Sequence, residues 1–247
     1  MFHLQPLTSF DLPELQPYRT MRRQMEHRQQ GLFVAEGEKV VRRLLASRFT
    51  VLSELLPQKW LQDLEPLLRA RTEDVRVFVA EKALLETLTG FSMYQGLLAL
   101  GQVPAQPTLE ELLGRSPRPY LLAAAEGLSS AENLGALVRN CAAFGAQGLL
   151  VSETCTSPFL RRAVRSSMGA IFELPVIESS SLGRDLGELR ARGIRCVAAH
   201  PHAEGRTLSR AGLAQDCCIV FGSEGYGISP AVLGLCDEAA ALPMPPT

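Results

Sequence analysis

The sequence predicts an α/β protein in two parts, a small α/β domain followed by a larger domain built on a parallel sheet. Three observations carry this. Short, continuous apolar runs recur through the second half with helical segments between them, the signature of strands buried on both faces of a parallel sheet. A proline-rich stretch separates that half from a first one with its own alternation of strand and helix patterns. With 247 residues, 46% of them hydrophobic, the chain is long enough for one large or two small cores.

In the first half, Leu32 to Ala35 reads as a strand, and Lys39 to Ser47 as a helix with Val40, Val41, Leu44 and Leu45 on one face. Val51 to Leu55, Val75 to Val79 and Gly96 to Ala99 are further strand candidates, and Lys82 to Leu88 is a helix between the last two. This domain is expected over residues 1–101. A linker is expected over 102–118, where Gln102-Val-Pro-Ala-Gln-Pro107 and Ser116-Pro-Arg-Pro119 flank a short acidic helix candidate. The second domain, 119–247, has strand candidates at Tyr120 to Ala125, Gly148 to Val151, Ile194 to Ala199, Cys217 to Phe221 and Glu238 to Leu242. In open sheets of this kind, ligands bind beyond the carboxyl ends of the strands. Two glycine-punctuated segments follow strands in that manner, one beginning at Asn133 and the other at Gly222.

The net charge of −1 hides a segregated excess. Residues 19–48 hold Arg19, Arg22, Arg23, Arg28, Lys39, Arg42, Arg43 and Arg48 against Glu26, Glu36 and Glu38. Such a segment suits phosphate contacts, or equally a solvated amphipathic face. Cys141, Cys155, Cys196, Cys217, Cys218 and Cys236 form no C-x-x-C pair and have no histidines at zinc-ligand spacing, so no metal is expected. The start of the chain lacks the pattern of a signal peptide, and no apolar run is long enough to span a bilayer, so a soluble cytoplasmic protein is expected.

Within Asn133 to Phe144, the residues Leu134, Leu137, Val138, Cys141 and Phe144 recur at helical spacing and are expected to face the core. Gly135, Arg139, Ala142 and Ala143 make a second, narrow face with one guanidinium, a shape suited to close approach by a ligand or another subunit. Asn133 is placed to cap the helix; the plain alternative is a cap and a surface arginine. Gly222-Ser223-Glu224-Gly225-Tyr226-Gly227 puts three glycines where a strand turns, allowing positive φ and close backbone approach to a bound group. Alone, this is an ordinary tight turn. It is neither the dinucleotide fingerprint nor a Walker loop, and no acidic residue follows at dinucleotide spacing, which disfavours an oxidoreductase. His200 and His202 read as loop residues.

Taken together, Asn133-Leu-Gly-Ala-Leu-Val-Arg139 and Ile219-Val-Phe-Gly-Ser-Glu-Gly-Tyr-Gly-Ile-Ser229 resemble, in order, the first two motifs of the SpoU/TrmH family of RNA 2′-O-ribose methyltransferases, part of the SPOUT superfamily of knotted α/β folds. Arg165-Ser-Ser-Met-Gly169-Ala170 is similar to an intervening family segment. Phe33-Val-Ala-Glu36-Gly37 resembles the ribosomal-protein-like substrate domain that many relatives carry. The resemblance implies S-adenosylmethionine as cofactor, tRNA or rRNA as substrate and a homodimer; the cysteine spacing and apolar-run lengths add the expectation of no metal and no membrane. It implies Arg139 beside the ribose hydroxyl, with Asn133 and Glu224 holding the catalytic site together. Ala199, Gly222, Ser223, Glu224, Gly225, Leu242, Pro243 and Met244 would line the cofactor. Arg22, Arg23, Arg42, Arg43, Arg161 and Arg165 are the expected RNA contacts, Arg161 and Arg165 sharing a helix face.

There are two departures. Ser130-Ala-Glu-Asn133 stands where relatives often have D-P-x-N, which reads as loop variation. Relatives also continue past the segment matching Leu242-Pro243-Met244 into a Ser-Leu-Asn motif and a final helix, whereas this sequence stops at Thr247; a truncated sequence is the expectation, and an inactive RNA-binding protein of the same fold is the alternative function. Resemblance gives proton removal to Arg139. A guanidinium normally stays protonated, so a strongly depressed pKa and a purely orienting, alkoxide-stabilising role both remain open.

Overall fold

The computed structural model describes the chain apart from residues 22, 90–95, 202, 204–206 and 242–247. It divides into two compact units, Met1–Ala105 with Phe159–Glu173, and Gln106–Pro158 with Leu174–Thr247. Among the described residues no helix is long and apolar enough to cross a membrane.

The first unit contains strands β1 (Phe2–Leu7), β2 (Leu32–Glu36), β3 (Val51–Leu56), β4 (Val75–Ala80) and β5 (Leu98–Gln102), and helices α1 (Gln16–Arg19), α2 (Gln24–Gln30), α3 (Glu38–Ala46), α4 (Leu61–Arg69) and α5 (Lys82–Thr89). The sheet runs β1-β4-β3-β5-β2, with β5 antiparallel to both its neighbours and the other pairs parallel. The expected strands and helices are present, α3 burying Val40, Val41, Leu44 and Leu45 as its periodicity requires. Strand β1 was not expected. It lies at the sheet edge with most of its residues exposed, and it carries Pro6, which only an edge tolerates readily.

The second unit contains β6 (Leu121–Ala125), β7 (Gly148–Val151), β8 (Val176–Glu178), β9 (Arg195–Ala199), β10 (Cys217–Phe221) and β11 (Glu238–Ala240). Its helices are α6 (Leu109–Arg115), α7 (Ala131–Ala143), then, after α8 (Arg161–Ser166), α9 (Leu182–Ala191) and α10 (Pro230–Leu233). All strand pairs are parallel, in the order β11-β9-β10-β6-β7-β8. One layer of core joins Leu122, Ala124, Cys218 and Val220 of the sheet to Leu112 of α6, Leu186 of α9 and Val232 of α10. Helix α6 falls inside the expected linker. It is closed by a capping box between Thr108 and Glu111 and buries Leu109, Leu112 and Leu113, so the sequence after Ala105 is core rather than tether.

The segment carrying α8 comes from the second half of the sequence but packs in the first unit. Phe33 of β2 lies 5.8 Å from Phe159 and 5.7 Å from Phe172, ring to ring. Gly101 of β5 makes room, since a Cβ there would lie 2.3 Å from the Phe33 ring. Arg161 and Arg165 of α8 both donate to the Glu36 carboxylate at the end of β2.

The first unit also buries a lone carboxyl. Glu54 of β3 is in register with Val77 of β4 and Ala99 of β5, and Ala99 with Ala35 of β2, so the side chain stands in a row of small apolar neighbours. It is fully buried and, among the described residues, neither oxygen has a hydrogen-bond partner. Burial pushes its pKa up to about 8.

Candidate functional site

Strand β10 lies between β9 and β6, while the chain after β6 moves the other way to β7 and β8. The order therefore reverses beside β6 and β10, and their carboxyl ends are where a crevice opens in such a sheet. Both glycine-punctuated segments leave from these two ends.

After β10, Gly222 begins a turn that only glycine fits, because a Cβ there would sit 2.2 Å from the carbonyl carbon of Gly227 and 2.3 Å from the Ile228 nitrogen. Backbone cannot yield as a side chain can. The turn closes on itself: the Ser223 N–H donates to the Gly227 carbonyl at 2.9 Å, the Gly227 N–H donates back at 3.0 Å, and the Tyr226 N–H donates to Ser223 Oγ at 2.9 Å. Gly227 adopts φ +69°, a left-handed value that favours glycine. After β6, Gly127 has φ +67°, and a Cβ there would approach the Ser223 Cβ at 3.3 Å, so the two loops run side by side.

Helix α7 starts from the β6 loop. Its cap is Ser130, whose Oγ accepts from the Asn133 N–H at 3.2 Å. Asn133 is thus not the capping residue that its position suggested. It lies in the first helical turn, and its side-chain amide donates instead to Glu224 Oε1 at 2.7 Å. This bond joins residues 91 apart in sequence and ties the two motifs together. The Asn133 amide, with backbone N–H groups of Glu224, Ser129 and Ser130, holds the Glu224 carboxyl below the usual carboxylate range. Glu224 is therefore ionised at neutral pH, suited to bracing and poorly suited to taking a proton.

Leu134, Val138 and Cys141 are buried as expected, Leu137 only partly, and Arg139 is exposed on the helix surface. Phe144 departs from expectation. The helix ends at Ala143, so Phe144 leaves the helical register and is 80% exposed.

A further residue, Glu126 at the end of β6, was not legible in the sequence. Its N–H donates to the Phe221 carbonyl at 2.8 Å, and its carboxylate accepts from the Ser229 N–H at 2.8 Å and the Ser229 hydroxyl at 2.6 Å. Glu126 thus clasps both ends of the turn, just before Gly222 and just after Ile228. Ser229 in turn caps α10.

Ala199 ends β9, partly exposed, and the neighbouring His200 N–H donates to the Ala240 carbonyl of β11 at 3.0 Å. Leu242, Pro243, Met244, His202 and Arg22 lie outside the described residues.

The expected RNA-contacting arginines are mostly engaged with the protein. Arg23 pairs with Glu26 at 3.1 Å, and Arg42 with Glu38 at 3.0 Å and Asp63 at 4.0 Å. Arg43 donates to the Met168 carbonyl at 3.0 Å. Arg161 and Arg165 share a helix face as expected, both reaching Glu36, but Arg161 is only 15% exposed and is committed to that carboxylate. Arg165 also reaches Glu36, at 2.8 Å, yet keeps 61% of its side chain exposed. Burial pushes the Cys141 and Cys236 thiols up to about 11 and the Cys196 thiol to about 12. These are inert packing groups.

Residues 120–247 match the model of the SpoU rRNA Methylase family. The chain belongs to this family. A relative in Mycobacterium tuberculosis, named as an uncharacterized tRNA/rRNA methyltransferase, is 31% identical over 218 residues, covering 87% of this chain and 74% of that protein. A crystal structure described as an RNA 2′-O ribose methyltransferase is 26% identical with a TM-score of 0.79, covering 98% of this chain and 91% of that one. The SpoU methyltransferase AviRb from Streptomyces viridochromogenes, solved in complex with AdoMet, has a TM-score of 0.80 at 22% identity, covering 96% of this chain and 90% of that one. The α/β fold with its parallel sheet is the fold of these methyltransferases.

Proposed function

We propose that the protein transfers the methyl group of S-adenosylmethionine to a ribose 2′-hydroxyl of tRNA or rRNA. The observation that carries this reading is the 2.7 Å bond from Asn133 to Glu224, which unites the arginine-bearing helix α7 with the glycine turn at the sheet's switch point. The residues present fit the cofactor. Small residues stand where two neighbouring strands end, Ala199 as the last residue of β9 and Gly222 just after β10, and the turn is closed by backbone bonds while residues 224–227 stay exposed. Ala199, Gly222, Ser223, Glu224 and Gly225 would hold it, together with Leu242, Pro243 and Met244.

When bound, the cofactor supplies an electrophilic methyl group on a sulfonium. The ribose oxygen would take that methyl group as the carbon–sulfur bond breaks, leaving a neutral thioether, and the hydroxyl proton would pass to solvent water. A ribose hydroxyl is a weak nucleophile at neutral pH, so alignment and help with the developing negative charge are the enzyme's task. Arg139 takes this role, its exposed guanidinium offering donors to the ribose oxygen and the adjoining phosphate. Glu224, ionised, serves by fixing Asn133 and the turn. The first unit holds the RNA through Arg165 and Arg43 on its surface, with Arg22, Arg23, Arg42 and Arg161 in supporting places. A homodimer is consistent with the exposed Phe144 just after α7, which a second copy would cover.

Incubation with S-adenosylmethionine labelled in the methyl group, and separately with unmodified tRNA and unmodified rRNA, tests the reading. Label should become acid-precipitable with one of the two. Stoichiometric cofactor binding with no transfer to either would leave an RNA-binding protein of this fold and refute the catalytic claim.

A further inference from the structure

The turn after β10 carries one side chain that the mechanism above does not use. Tyr226 is 99% exposed, an extreme value for an aromatic ring. It stands on a turn held by bonds from four directions. The Ser223–Gly227 pair closes the turn, the Tyr226 N–H is fixed to Ser223 Oγ, Glu224 is tied to Asn133, and Glu126 clasps the base. With its backbone already fixed, the ring gives up only its own rotamer freedom when it binds something. Its flanks are open, because a Cβ at Gly225 or at Gly227 would meet no atom within 4 Å.

The chemistry of the surroundings selects the ligand. The exposed neighbours in the turn are Glu224, Gly225 and Gly227, so within the turn itself no apolar side chain joins Tyr226 to make the greasy centre of a protein interface. The adjacent carboxylate disfavours phosphate at this spot. A single accessible ring beside a negative charge suits the uncharged face of a nucleobase, which gains from one aromatic platform and is indifferent to sequence.

We propose that Tyr226 is a nucleobase-stacking residue, on which a base of unpaired RNA next to the methylated nucleotide lies. The inference rests on the reading of the protein as an RNA methyltransferase and adds the form of its substrate: a target presented in a single-stranded or splayed-out segment rather than within a duplex.

The test compares wild type, Tyr226→Ala and Tyr226→Trp for binding to fluorescein-labelled oligouridylate and to an abasic ribose-phosphate strand of equal length, by anisotropy at one fixed salt concentration. Tyr226→Ala should weaken oligouridylate binding about five- to hundred-fold, Tyr226→Trp should restore it, and neither should alter binding of the abasic strand. Calorimetry should give the same S-adenosylmethionine affinity for all three. An equal loss on both strands, or no loss on oligouridylate, would overturn the proposal. So would Tyr226→Ala sedimenting as a smaller species with unchanged RNA affinity, since the ring would then be a contact between copies. Failure of the wild type to methylate any RNA counts against the underlying function, whereas methylation by wild type and Tyr226→Ala at equal RNA KM counts against the stacking role alone.

Discussion

Replacing Glu54 by glutamine should stabilise the first unit by an amount that grows with pH. The carboxyl has an ordinary value of 4.5 and is pushed by burial up to about 8 in the folded chain. Between those values the unfolded chain has released the proton and the folded chain has kept it, so the folded state binds more protons and its stability falls as pH rises. Each pH unit in that window costs about 1.4 kcal/mol. Wild type should thus lag Glu54→Gln by about 2 kcal/mol at pH 6 and by about 4 kcal/mol at pH 7.5. The lag is small near pH 4.5, because glutamine matches the neutral acid in shape and shares its unsatisfied burial, and it is constant above pH 8. Trp60 is the single tryptophan and belongs to the first unit, so its fluorescence during urea unfolding reports on this unit. A stability difference that does not change between pH 5 and pH 8, or a variant less stable than wild type at pH 7.5, would refute the assignment of a buried, unpartnered acid.

Three predictions concern the site. Glu126→Ala removes two charge-assisted bonds to Ser229 and should lower S-adenosylmethionine affinity about ten-fold or more by calorimetry, with Glu126→Gln in between; unchanged affinity would mean that the clasp does not shape the turn. Asn133→Ala and Glu224→Ala should each cut kcat/KM, and the double variant should be no worse than the more damaging single one, since both remove the same bond; additive losses would show independent roles. Arg139→Ala and Arg139→Lys should both lose turnover at saturating cofactor and RNA with an unchanged melting temperature, because Arg139 lies on the exposed side of α7. Full activity in either would remove it from the reaction.

The plainest strands, β6, β7 and β10, are continuous apolar runs, because burial on both faces leaves no polar residue to confuse the pattern, whereas β3 and β4 were legible despite Ser53, Glu54 and Arg76. Strand β8 was missed, having only three residues, and β1 because its edge position lets polar residues and Pro6 stand in it. The spacing of Phe144 continued the apolar stripe of α7, but periodicity does not reveal where a helix stops, and the chain turns one residue before it. In the site, the glycine turn and the arginine helix stood out through their resemblance to a family. The Glu126 clasp did not, since it depends on β6 and β10 lying in register, which brings Ser229 to a residue 103 positions earlier. Charge counting over residues 19–48 overstated free positive surface for the same reason. The partners of Arg42 and Arg43, namely Asp63 and the Met168 carbonyl, come from elsewhere in the sequence.

The position of the transferred methyl tests the central claim most directly. RNA labelled by the protein is hydrolysed in alkali, which cleaves every linkage that has a free 2′-hydroxyl. Methylation of the ribose oxygen predicts label in alkali-resistant dinucleotides, lost with Arg139→Ala. Label released only in mononucleotides, with the methyl group on a base, would contradict it.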